Sequence, residues 1–180
     1  MNGKSKLDVK KKLRRIPEFK GVVFWDITPI LKNSQLFREC IRRLAEHYEG
    51  KKIDVVVSNE ARGFIIGAPL AYELGVGFVP IRKKGKLPSK CVDLTYKKEY
   101  EIDTIEIHED AIATGQKVLI IDDLLATGGT IRANIELVEK LGGVIVGIGF
   151  LIELGYLDGR KALGDKYDVF SVMKCETPNG

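Results

Sequence analysis

The sequence predicts an α/β fold: a central parallel β-sheet flanked by helices, with a small N-terminal appendage in roughly the first 32 residues. Three observations carry this. Short runs rich in β-branched residues alternate along the chain with segments of helical apolar spacing, as strands covered on both faces require. The 180 residues are 44% hydrophobic and 30% charged, enough for one core burying about 70% of the unfolded surface. No internal repeat, low-complexity tract or linker divides the chain, so residues 1–180 are read as one domain.

In order along the chain, Leu7, Val9, Leu13 and Ile16 recur at roughly helical spacing in a charged background, and Pro17 stops the pattern. Residues 18–32 are apolar but irregular, with Gly21 and Pro29, and read as an ordered loop. Asn33 or Ser34 caps a helix expected to reach about Tyr48, with Leu36, Phe37, Cys40, Ile41 and Leu44 as its stripe. Residues 53–57 are a β-branched run, hence a buried strand. Residues 63–74 read as helix and 76–81 as strand. Residues 83–97, with Gly85, Pro88 and alternating charge, read as a long mobile loop. Strands are expected at 100–107, 117–121, 144–152 and 167–172, and a helix at 130–140.

Composition excludes several classes. No apolar run approaches the roughly 18 residues of a membrane span, and the basic N-terminus does not read as a signal peptide. Cys40, Cys91 and Cys175 have no metal-type spacing; sparse and odd in number, they argue for packing thiols in a cytoplasmic protein. His47 and His108 have no partners at metal or triad spacing and read as surface or helix-end groups. Glu153, inside an apolar strand, is expected to be buried and paired.

Net charge is only +4, but it is uneven. Residues 4–20 hold eight basic groups against Asp8 and Glu18, which suits a solvated helix face and is too little for a DNA-binding unit. Arg82, Lys83, Lys84, Lys86 and Lys90 crowd a Gly/Pro-containing stretch without an acid. Positive charge on a loop points to an anionic ligand.

The strongest chemical signal spans residues 118–130: Val-Leu-Ile-Ile-Asp-Asp-Leu-Leu-Ala-Thr-Gly-Gly-Thr. An apolar strand runs into two acids, a small-residue turn and a helix start. Ala126, Thr127, Gly128, Gly129 and Thr130 can wrap backbone N–H groups and hydroxyls around a phosphate, aided by the helix dipole. Asp122 and Asp123 repel a phosphate but suit ribose hydroxyls, directly or through a divalent ion. Neither G-x-x-x-x-G-K-[ST] nor a helix-opening G-x-G-x-x-G is present.

This string resembles the phosphoribosyl pyrophosphate (PRPP) motif of the type I phosphoribosyltransferase family, in the form carried by its adenine-specific members. Residues 17–31 resemble that family's base-covering hood. Glu60-Ala61-Arg62-Gly63-Phe64 resembles its pyrophosphate loop, residues 82–88 its flexible catalytic loop, and residues 149–154 its late strand. The resemblance implies the type I phosphoribosyltransferase fold, with residues 1–32 contributing the hood. It implies transfer of phosphoribosyl from PRPP to adenine with Mg²⁺, giving AMP and pyrophosphate in purine salvage, by a cytoplasmic homodimer without nucleic-acid or membrane partners. Mg²⁺ is expected mainly on PRPP and water, near Asp122 and Asp123.

By the same resemblance, Glu60, Ala61, Arg62, Arg82, Lys83 and Lys86 bind pyrophosphate, with a non-proline cis peptide at Glu60–Ala61. Glu99 and Tyr100 match the Glu-Tyr pair ending the flexible loop and are the implied catalytic residues. Val23, Phe24, Trp25 and Leu124, with Leu125 beside it, are implied at the base. Three features depart from the family pattern. Trp25 stands where Arg is common, Glu101 follows Glu-Tyr where Gly is usual, and residues 89–96 diverge from the Glu-rich loop. Trp25 keeps open a phosphoribosyltransferase for another purine (hypoxanthine, guanine or xanthine). A non-catalytic PRPP-sensing regulator is the alternative of another class.

Overall fold

The structure, a computed structural model, describes residues 9–19, 22–97 and 102–179. After a 3-10 turn at Lys10–Lys12 come β1 (Arg14–Phe19), β2 (Val22–Asp26) and the one-turn helix α1 (Thr28–Leu31). A β1–β2 antiparallel pair therefore replaces the helix expected through Ile16 and the loop expected over residues 18–32. Ile16 opposes Phe24 and Arg15 opposes Trp25 across the ladder. Pro17 is tolerated because, among the described residues, β1 pairs with β2 alone and its other edge takes no strand. Trp25, Ile27 and Ile30 then enter the main core.

Helix α2 (Ser34–His47) begins where a cap was expected: the Asn33 side chain accepts from the N–H groups of Gln35 and Leu36, both at 3.1 Å. Its Leu36, Cys40, Ile41 and Leu44 are buried. The chain continues through β3 (Val55–Asn59), α3 (Arg62–Leu74), β4 (Gly77–Lys83), β5 (Cys91–Lys97), β6 (Ile102–His108), β7 (Lys117–Leu125), α4 (Gly129–Lys140), β8 (Val144–Leu154), α5 (Gly159–Leu163) and β9 (Val169–Cys175).

Seven strands form the main sheet in the order β5-β6-β4-β3-β7-β8-β9. The five from β4 to β9 are parallel, while β6 runs antiparallel to β4 and β5 antiparallel to β6. The sheet is thus mostly rather than wholly parallel. Part of the expected loop is strand as well: residues 91–97 form β5, whose Val92, Leu94 and Tyr96 alternate onto the second hydrophobic cluster. At the end nearest the crevice, β7 and β8 run on to Leu125 and Leu154, past the expected ends at 121 and 152.

Two cores sandwich the sheet. Val56, Ile121, Ile66 and Leu70 share one cluster with α2 and the hairpin. Val57, Ile120, Ile131 and Val138 share the other, under α4. So α3 and α4 lie on opposite faces. Strand β3 leads through α3 to β4 on one side, and neighbouring β7 leads through α4 to β8 on the other. Connections that part in this way open a crevice at the carboxyl ends of the two strands, where open α/β sheets bind ligands.

Candidate active site

The crevice is lined by residues 59–62 after β3 and residues 122–131 across the end of β7 and the start of α4. Gly128, at φ +86°, turns the chain into α4. That left-handed backbone suits glycine. The first turn of α4 carries no acidic side chain, so its positive end is not neutralised from within. The Thr130 hydroxyl lies 3.2 Å from that of Tyr96, which ties β5 to the start of this helix.

Asp122 and Asp123 are both buried. The Asp123 N–H donates to Asp122 Oδ1 at 2.8 Å. Arg62 Nε meets Asp123 Oδ2 at 2.9 Å. Burial pushes the Asp122 carboxyl well above the usual carboxylate range, and the adjacent Asp123 charge adds to it. Burial also raises Asp123, against the pull of Arg62. Gly63 lets α3 start this close. A Cβ there would lie 2.7 Å from Ser58 Oγ and 2.8 Å from Asp122 Oδ1.

The Glu60–Ala61 peptide is cis, at the position implied by the resemblance. Glu60 Oε2 accepts from Arg82 Nε at 2.8 Å, and Arg82 Nη1 reaches the Lys86 carbonyl at 3.1 Å. The turn after β4 is held from below. Glu106 Oε1 accepts from the backbone N–H groups of Lys86 and Leu87, both at 2.9 Å. Burial raises this carboxyl, but those backbone donors outweigh it and hold it below its usual range. Lys83 lies 3.7 Å from Asp103. Arg82 is thus joined to the crevice through Glu60 and Lys86 to Arg82 through its carbonyl, whereas Lys83 pairs with Asp103; none of the three lines the crevice.

The residues implied at the base divide. Leu124 lines the crevice. Val23 packs partly buried on the main core. The Phe24 ring lies 5.0 Å from the Arg62 guanidinium, a cation–π contact that fastens the hairpin to the crevice wall. Trp25, 6% exposed, is a core residue, and its Nε1 is buried with no hydrogen-bond partner among the described residues. Alternation along β2 puts Phe24 and Trp25 on opposite faces. Glu99, Tyr100 and Glu101 lie outside the described residues.

Sequence reasoning missed four contributors. Asn59 lines the crevice, and Ser58 anchors β3 to β7 by donating to the Ile121 carbonyl at 2.6 Å. Gly159 packs against the back of the Ala126 carbonyl, so closely that a Cβ would overlap it. Arg160 is the partner of Glu153. None breaks a periodic pattern; only the long-range pairing reveals them. Among the described residues no three or more His, Cys, Asp or Glu gather as a metal site. The Asp122–Asp123 pair fits a Mg²⁺ ion only where that ion keeps its waters and takes most of its oxygens from a phosphorylated ligand.

Residues 26–179 match the phosphoribosyl transferase domain. The chain belongs to the phosphoribosyltransferase family. It is 56% identical over 169 residues to the adenine phosphoribosyltransferase of Thermoanaerobacter sp. (strain X514), covering 93% of this chain and 97% of that one. It also superposes on the adenine phosphoribosyltransferase crystal structure from Thermoanaerobacter pseudethanolicus, with TM-score 0.90 and 53% identity, over 95% of this chain and 100% of the other. The Saccharomyces cerevisiae adenine phosphoribosyltransferase, complexed with adenine and an imino-altritol bisphosphate, matches with TM-score 0.85 and 43% identity over 93% and 97% of the two chains. The type I phosphoribosyltransferase fold thus accounts for the mixed sheet, with its parallel core and antiparallel β5–β6 edge. Among the described residues, no helix of this phosphoribosyltransferase is long and apolar enough to cross a membrane.

Proposed function

We propose that the protein transfers the phosphoribosyl group of PRPP to adenine, giving AMP and pyrophosphate in purine salvage. The observation that carries this is a crevice that brings together the turn at residues 126–130, a buried acid pair and Arg62. The relatives named as adenine phosphoribosyltransferases over nearly the whole chain support the choice of base.

In this reading residues 126–130 hold the 5-phosphate with backbone N–H groups and hydroxyls. Asp122 and Asp123 accept from the ribose hydroxyls. An adenine nitrogen attacks the anomeric carbon as its bond to the pyrophosphate oxygen breaks, and the electron pair leaves with pyrophosphate. Positive charge gathers on the ribose ring meanwhile, as in glycoside cleavage. Glu60, Ala61 and Arg62 receive the departing pyrophosphate. Arg82, Lys83 and Lys86 supply further positive charge from the adjoining turn. Glu99 and Tyr100 are assigned to the proton lost from the base and to the developing cation. Mg²⁺ would be held mainly by PRPP and water near Asp122 and Asp123, and supplies charge neutralisation at the phosphates when bound.

Residues 1–32 supply the hood of a single 180-residue domain. Val23, Phe24 and Leu124 give the base its apolar surroundings. Because the Trp25 side chain is buried in the core, that residue addresses the base through its main chain. β2 pairs only with β1 among the described residues, so one of its edges is open for this. We assign the protein to the cytoplasm as a homodimer. The apolar outer face of α3, where Tyr72 is 88% and Ile65 41% exposed, supports the dimer.

The test is nucleotide formation from PRPP and Mg²⁺ with adenine, hypoxanthine, guanine and xanthine in parallel. AMP formation alone is the expected result. Turnover with a 6-oxopurine would overturn the choice of base. PRPP binding without turnover on any base would overturn catalysis in favour of a regulator.

A further inference from the structure

The turn that shapes the phosphate site does not stand on its own. Behind it lies α5, a helix of five residues. Gly159 abuts the Ala126 carbonyl, and a Cβ on Gly128 would lie 3.1 Å from the Gly159 carbonyl oxygen and 3.5 Å from Ala162 Cβ. So short a helix lacks intrinsic stability in water. Something must hold it, and its second residue does.

Arg160 spends its whole guanidinium on the sheet. Nε donates to Glu153 Oε1 at 3.0 Å and Nη2 to Glu153 Oε2 at 2.5 Å, a forked pair. Nη1 donates to the Val169 carbonyl at 2.6 Å, and Nη2 also lies 3.4 Å from Ser171 Oγ. Ser171 Oγ in turn donates to Glu153 Oε2 at 2.8 Å. Glu153 is 2% exposed and lies in register with Leu125, the last residue of β7 before the phosphate turn.

We propose that Glu153, Arg160 and Ser171 are positioning residues for phosphate binding: they clamp α5 to β8 and β9, and α5 fixes the direction of the N–H groups at residues 126–130. This rests on the reading of that turn as the 5-phosphate site. The clamp touches no substrate and acts at one end of it only. Loosening it weakens binding of the phosphoribosyl end while leaving the pyrophosphate loop and the base site intact.

The test replaces both charges with apolar side chains of similar length, E153M/R160M. Exchange of a whole buried ion pair often preserves stability where removal of one partner does not. For a folded variant, PRPP–Mg²⁺ binding weakens about tenfold or more while kcat at saturating PRPP, the KM for adenine and inorganic pyrophosphate binding stay within about threefold. PRPP affinity within about twofold of wild type in a folded variant overturns the clamp. Should that variant fail to fold, G159A reads the same quantity by displacing α5 from Ala126 with the ion pair intact, and unchanged PRPP affinity there overturns the proposal equally. Failure of the wild-type protein to bind PRPP would instead overturn the reading of the site.

Discussion

At the scale of single residues, Arg62 has the most demanding position. It pairs with Asp123 on one side and faces the Phe24 ring on the other, so the hairpin, the loop after β3 and the acid pair meet at one guanidinium. Lysine could not reproduce this, having neither the planar fork nor the flat face. Trp25 makes the opposite case, because its conspicuous side chain is committed to packing. Trp25→Phe deletes an indole N–H that has no partner among the described residues and leaves a small cavity, for about 1–2 kcal/mol of lost stability. The expected outcome is a Tm lower by about 2–8 °C. The adenine KM and base preference should stay unchanged in steady-state assays; a switch to another purine would show that the ring itself reads the base.

At the scale of elements, the helix signals are local and can be checked separately from the chemistry. Asn33→Ala removes the side-chain acceptor for two N–H groups at the start of α2 and should cost about 1 kcal/mol. Thermal unfolding should show the loss while turnover is unaffected, since α2 lies away from the crevice. The same locality explains what the sequence made legible. The residue 33–48 helix, the buried runs at 55–57 and 118–121 and the turn at 126–130 are written in neighbouring residues. The β1–β2 hairpin was not legible, because its strands are short and its Ile16–Phe24 and Arg15–Trp25 pairs form only across the ladder. β5 was missed for another reason. Its Lys, Asp and Thr residues face outward, and charge masked the alternation of Val92, Leu94 and Tyr96. Within the site, the turn into α4 at Gly128 and the cis peptide at Glu60–Ala61 lie where their motifs implied, whereas the Glu153–Arg160 pairing depends on a turn between strands that no periodicity announces.

For the whole molecule, acid should act through carboxylates the fold has drawn below their usual values. Burial raises Glu106 and Glu153, but backbone donors in the first case, and Arg160 with Ser171 in the second, win and leave both lowered from 4.5. On unfolding each returns toward that value. Their stabilisation is therefore complete above 4.5 and is lost as pH falls through the depressed folded values. Glu106→Gln should lower Tm at neutral pH and flatten its decline below about pH 5, as read by melting curves across an acid series; an acid limb as steep as wild type would count against it. The contact between Gly159 and Ala126 has a further consequence, in the order of events during synthesis. The turn at residues 126–130 leaves the ribosome 29 residues before the short helix that backs it. β3 must likewise wait for β7 to become its neighbour in the sheet. Pairings this distant in sequence form slowly. A nascent chain halted before residue 159 would therefore display the turn at residues 126–130 in full and still lack the wall that packs behind it, so the finished crevice arrives late and all at once.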